Sequence, residues 1–354
     1  MMKPSAEKPL WSQKIASYPV GLSLQNSTPN AAIMGIEGEL YFFNVESGRM
    51  AKRLISHKGG NTVLASLDLT QEFVTGGEDG TIRIWGRESP KSVWEHSFSK
   101  DWVDALAVSN TGHFAAAAGR TLLVWNYART LIFEQQFDQP VRQLQFIRNG
   151  QELVVSTPRK SAFLNIPAGE ELYKVEYDAS PFKALVSPDE RWLAAGMSDM
   201  GVQLNNLRSL STQALGIGHF SSKPKHTCWA PDSQLFAAGN GDRVYLIKRG
   251  VLEELAMDHQ TSERDIRLAI RPLEYVTGKT TALQFHGTEP WLAVGTEEGN
   301  LVLEDLNSHL RLVDVFVQGG AIVELQWTAD SDRLVYATES GIVGCFWFSG
   351  ELLH

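Results

Sequence analysis

Eight times along this chain of 354 residues, a run of small and apolar residues meets a tight polar turn and then a second apolar run. The clearest copy is FVTGGEDGTIRIW at 73–85; the others stand at 33–43, 114–125, 152–164, 192–204, 235–247, 291–303 and 334–347. Their matching small residues are Gly35, Gly76, Gly119, Thr157, Gly196, Gly239, Gly295 and Thr338, spaced by 41, 43, 38, 39, 43, 56 and 43 residues. Such self-similarity means that each copy is one unit that buries its apolar surface by stacking on its neighbours. Length alone would suggest two domains, but a repeat array uses it in one body.

Hairpins repeating every ~40–45 residues are the signature of four-stranded propeller blades. A further strand precedes each hairpin, ending at Leu24, Leu67, Val108, Phe146, Val186, Trp229, Phe285 and Trp327. Two positions earlier stand Ala65, Leu106, Leu144, Ala184, Thr227, Leu283 and Leu325, and period-two alternation puts both columns on one buried face. Candidate fourth, outer strands lie at 49–55, 92–98, 130–137, 171–177, 212–217, 251–257 and 311–317. The expected fold is all-β: an eight-bladed β-propeller of four-stranded antiparallel blades, a single domain over 1–354 with a flexible tail at 1–9. Seven blades plus a degenerate hairpin is the alternative. The eighth hairpin ends at Phe348, too near the end for an outer strand, so Leu10 to Ala16 is expected to fill that place. Closure of this kind also protects a strand edge that would otherwise invite aggregation.

The long 56-residue spacing implies an insertion between blades at 258–279. There Ile266, Leu268 and Ile270 alternate with Arg267, Ala269 and Arg271, as on a half-buried strand. Ser262 and Asp265 fit the start of a short helix equally well.

From His57 to Trp85 the chain resembles a WD repeat, and the whole resembles a WD-repeat β-propeller with degenerate, bacterial-type repeats. The resemblance implies a structural hydrogen-bonded set of His57, Thr75, Asp79 and Trp85. Other blades match in part: Trp125 and Trp347 supply the tryptophan, and Gly218-His219 the Gly-His pair. It also implies a non-catalytic scaffold or adaptor that binds a protein or peptide through one propeller face.

Composition and motifs agree with that expectation. A formal net charge of −9 without a long basic run disfavours nucleic acid, whose binding depends on Lys and Arg neutralising phosphates. No apolar run approaches the ~18 residues of a membrane span. Cys228 and Cys345, both in apolar strand-like runs, read as buried thiols in a reducing, cytoplasmic setting. His219, His226 and Cys228 are close in sequence, but their spacing matches no common zinc module. There is no GxSxG, GxxxxGK[ST] or HExxH. No metal, cofactor or catalytic residue is expected; the alternative is a small-molecule-binding or enzymatic propeller using its central channel.

The candidate partner-binding residues cluster by register. Asp104, Arg142, Phe182 and Lys225 each stand four positions before the terminal apolar residue of their strand, which puts them around the channel mouth. Trp102 lies in the loop leading into the third blade, where an aromatic anchor is a plausible hot spot. Arg264, Arg267 and Arg271 are the insertion's candidates, because loops on a rigid scaffold carry function disproportionately.

Overall fold

In the computed structural model, the described residues are 8–98, 101–199, 201–208, 215–217, 223–241, 243–250, 270–273 and 278–348. They form eight four-stranded sheets. Seven are built in chain order: blade 1 at 19–55, blade 2 at 61–97, blade 3 at 103–136, blade 4 at 143–176, blade 5 at 181–217, blade 6 at 226–272 and blade 7 at 280–316. Neighbouring strands pair antiparallel throughout. The inner strand of each blade touches that of the next, and the last returns to the first. The ring is a closed eight-bladed propeller.

Blade 8 takes three strands from 322–347 and its fourth from Trp11–Lys14, which pairs antiparallel with Ile342–Trp347. Hydrogen bonds from Leu10 N to Cys345 O (2.7 Å) and from Ile15 N to Gly341 O (2.8 Å) extend the pairing at both ends. This strand also fastens blade 1. The Trp11 indole donates to the Val45 carbonyl at 2.6 Å and stacks on Phe43, while Ile15 is buried with Tyr41 and Val343.

Second strands are built from small residues because both of their faces are covered. Phe114–Ala118, FAAAA, is buried at every position between its neighbouring blades. The alternation expected to separate buried from exposed therefore separates two buried faces: Ala105 and Ala107 pack toward blade 4, Leu106 and Val108 toward blade 2. Outer strands, covered less, show partial alternation, as in Glu171–Glu176.

Blade 6 departs from the sequence reading. Its fourth place, expected at 251–257, is filled by Ile270–Pro272, which pairs with Tyr245, Leu246 and Ile247. Part of the segment expected between blades is thus a blade strand. Ile270 packs with Trp192 and Phe236 toward blade 5, and the next apolar residue, Leu273, is buried toward blade 7. Pro272, which has no N–H to give, is tolerated at the end of an edge strand. Residues 251–257 and the rest of the insertion to 269 lie outside the described residues.

Candidate interaction face

Antiparallel register sets which loops share a face. Asn61 is opposite Gly77, and Thr81 opposite Ser97, so inner-strand starts, second-to-third turns and outer-strand ends all meet on one face, the mouth. The inner strands do not enter it straight. Register shifts between Val103 and Ala105, Pro181 and Lys183, Asn61 and Val63, and Thr280 and Ala282 leave one extra residue in each strand. Such bulges re-aim a side chain. The extra residues are Asp104, Phe182, Thr62 and Thr281.

Each of these reaches the next blade. Thr62 Oγ1 donates to the Val103 carbonyl (2.5 Å) and Thr281 Oγ1 to the Ile322 carbonyl (2.6 Å). Asp104 pairs with Arg142 of blade 4 at 3.8 Å, and Lys225 of blade 6 lies 6.0 Å from the centre of the Phe182 ring. The structure thus brings Asp104 to Arg142 and Phe182 to Lys225, over four successive blades. Burial raises the Asp104 carboxyl; Arg142 opposes the shift and Asp101 reinforces it. Exposed ion pairs are worth ~0–1 kcal/mol and an exposed cation–π contact ~0.5–1 kcal/mol. These side chains add little to stability and remain accessible. Trp102, two residues before the blade 3 bulge, is 54% exposed, and Phe182 is 41% exposed.

Arg271 stands apart from this group. Mid-way along the outer strand of blade 6, it reaches Glu304 (3.2 Å) and His309 (3.2 Å) of blade 7, a contact between two blades at the rim. Arg264 and Arg267 lie outside the described residues, as does His219.

His57, Thr75, Asp79 and Trp85 form one connected chain in blade 2. His57 Nδ1 lies 2.9 Å from Asp79 Oδ1, His57 Nε2 lies 2.7 Å from Thr75 Oγ1, and the Trp85 indole donates to Thr75 Oγ1 at 2.8 Å. With the ring proton on Nδ1 toward the Asp79 carboxylate, which only accepts, the Thr75 hydroxyl donates to Nε2 and accepts from Trp85; Arg83 Nη1, which only donates, also lies 2.8 Å from Nδ1. Gly77 is required by close approach, since a Cβ there would run into the His57 ring. Burial lowers the His57 pKa, with Arg83 adding to that and Asp79 opposing. Burial alone would raise Asp79, but Arg83 and His57 hold it below the ordinary carboxylate value.

Other blades use different polar ties, which motif reading missed. Ser156, Ser161 and Tyr177 form a hydroxyl chain in blade 4, at 2.6 and 2.5 Å. Gln143 and Gln145 accept from Ala184 N and Val186 N, both at 2.9 Å, across the seam between blades 4 and 5. Deeper on the inner strands, burial pushes Glu324 up to about 7, with Lys183 opposing. His226 is lowered by burial and by Lys183 and Lys225. Among the described residues no three His, Cys, Asp or Glu side chains gather as a metal site.

Known proteins match this geometry at two levels. A family model described as "WD domain, G-beta repeat" matches residues 50–86, the stretch that holds His57, Thr75, Asp79 and Trp85. The serine-threonine kinase receptor-associated protein of mouse is 26% identical over 231 residues, 63% of this chain and 64% of that protein. The chain thus spans less than two thirds of that relative's length. The Arabidopsis thaliana protein ROOT INITIATION DEFECTIVE 3 is 25% identical over 146 residues, 36% of this chain and 32% of its own. The crystal structure of a computationally designed protein superposes with a TM-score of 0.76 at 19% identity, covering 95% of this chain and 98% of that one, a likeness of fold alone. The chain is an eight-bladed β-propeller whose blade 2 carries a complete WD repeat.

Proposed function

We propose that the chain is a non-catalytic scaffold that binds a protein or peptide partner at the mouth face, with Trp102 and Phe182 as apolar anchors. The observation that carries this reading is the exposure of both aromatics on one face, beside the Asp104–Arg142 and Phe182–Lys225 pairs. Aromatic anchors within a polar, mixed-charge surround are the makings of a binding hot spot. The mixed charge suits a folded protein or peptide better than a uniformly charged polymer. The matched mouse protein is by its name associated with a receptor, which agrees with a binding role.

Arg264 and Arg267 enter the proposal as further contacts from the insertion. Because Ile270–Pro272 is a blade strand, shortening the insertion to test them must stop before Ile270. A cytoplasmic setting belongs to the same proposal: both cysteines are free, and burial pushes each thiol up to about 12, beyond ready thiolate chemistry. Among the described residues no helix is long and apolar enough to cross a membrane.

The test is affinity capture from the source cells with the full chain, Trp102→Ala/Phe182→Ala, and Leu172→Ala. Leu172 is an exposed outer-strand residue of blade 4 and serves as the control. Partners should be lost about tenfold or more from the double variant and kept by the control, as for a hot spot of ~1.4 kcal/mol or more. Equal recovery by all three proteins would refute the mouth-face reading. The channel alternative rests on Glu324: a small molecule bound there would be lost on Glu324→Gln and kept on Trp102→Ala.

A further inference from the structure

The face opposite the mouth holds a pocket of about 200 Å³ between blades 2 and 3. Its floor borders Leu67, Ile84 and Phe114, buried members of the core between those blades. Two apolar side chains stand beside it uncovered. Leu69, from the first turn of blade 2, is 63% exposed, and Tyr127, from the last turn of blade 3, is 68% exposed. Gly112 separates them: at its φ of +82° a Cβ would come within 2.9 Å of both Leu69 Cδ1 and Tyr127 Cβ. A side chain at that position would narrow the mouth of the pocket.

The rim has two carboxylates in different states. Both oxygens of Glu72 lie 2.7 Å from Arg129 Nη2, so that charge is met. Asp68 accepts from Asn26 N (3.0 Å), Asn26 Nδ2 (2.7 Å) and Ser66 Oγ (2.6 Å), all neutral donors. Among the described residues it forms no ion pair. Asn26 also borders a second cavity of about 210 Å³, whose wall carries Glu46.

We propose that this pocket takes one large apolar side chain from an extended, basic peptide segment of a protein partner, whose neighbouring Lys or Arg reaches Asp68. The volume is below the ~300–1,000 Å³ of small-molecule sites and suits a single side chain. Leu69 and Tyr127 supply apolar contact on either side, and the unmatched Asp68 favours a cation next to the anchor. The pocket lies on the opposite face from Trp102, so two partners can bind the ring at once.

The test follows methyl NMR shifts of Leu67, Ile84 and Val108 in the full chain as the peptide Gly-Lys-Phe-Lys-Gly is added to millimolar concentration. Two comparison peptides carry Ala for Phe, or Glu for both Lys. The Phe/Lys peptide should move these methyls saturably, and both comparison peptides should bind about tenfold more weakly or not at all. Leu69→Ala/Tyr127→Ala should weaken binding similarly, and Asp68→Asn should remove the preference for Lys over Glu. Trp102→Ala should bind as the unaltered chain does, which separates this site from the mouth. Unmoved methyls, equal response to all three peptides, or loss on Trp102→Ala instead would overturn the proposal. The altered side chains are largely at the surface, and thermal unfolding of each variant checks that the ring is intact.

Discussion

Replacing Thr75 by valine keeps the shape of blade 2 and removes the hydroxyl that joins His57 to Trp85. Two buried ring nitrogens then lose their partner, at a cost of ~1–3 kcal/mol each. Thr75→Val should therefore lower the free energy of unfolding by about 2 kcal/mol or more in urea titration; a change near zero would mean the chain of bonds is slack. Acid should act through the same set. An unfolded histidine titrates near ~6.5, and burial lowers His57 below that, so the unfolded chain takes the proton first. The His57 contribution is full above pH ~6.5 and falls as pH drops toward the folded value. Asp79, also lowered, adds a loss that starts near its ordinary value of 3.8 and continues below it. Unfolding measured from pH 7.5 to 5 should fall less steeply for His57→Gln than for the unaltered chain. Glu324 has the opposite sign: raised to about 7 from 4.5, it contributes at low pH and that contribution is lost as pH rises between those values. Glu324→Gln should stabilise the chain at pH 8 by about 1–3 kcal/mol and have little effect near pH 4. Equal effects at both values would place Glu324 in open solvent.

Among elements, the strand Trp11–Lys14 has the largest consequence for its length. It gives blade 8 its fourth strand and anchors blade 1 through Trp11 and Ile15. Removing residues 1–18 should lower the unfolding temperature of the whole ring in one cooperative transition and expose the edge at Ile342–Trp347 to aggregation. Unchanged unfolding would contradict the closure. This strand was legible before the structure because the eighth hairpin was the one without an outer-strand candidate of its own, and Leu10 to Ala16 could supply it. The outer strand of blade 6 was not: 251–257 has the length and apolar content of an outer strand, whereas Ile270–Pro272 is three residues long and ends in proline. Periodicity also could not show that both strand faces are buried, since Leu106 and Ala107 are each apolar and differ only in which neighbour they meet. Asp104 and Phe182 were found at the mouth by register alone, but their pairing with Arg142 and Lys225 depends on bulges that no local motif announces. The pocket beside Leu69 and Tyr127 joins turns of two blades, 58 positions apart along the chain, and was invisible until the ring brought them together.

At the scale of the whole molecule, the residues that hold the ring and the exposed aromatics proposed to bind partners occupy different places. Blade seams and second strands bury the small residues, aromatics and hydrogen-bonded sets that hold the ring. The two faces carry Trp102 and Phe182 on one side, and Leu69 and Tyr127 on the other, none of them needed for closure. We propose above that a protein partner docks at the mouth. This docking is tested most directly by placing a photoreactive amino acid at position 102, and separately at 172, in the full chain within its source cells. Docking at the mouth should give partner crosslinks from 102 that are missing or far weaker from 172; no crosslink from 102, or equal yields from the two positions, would rule it out.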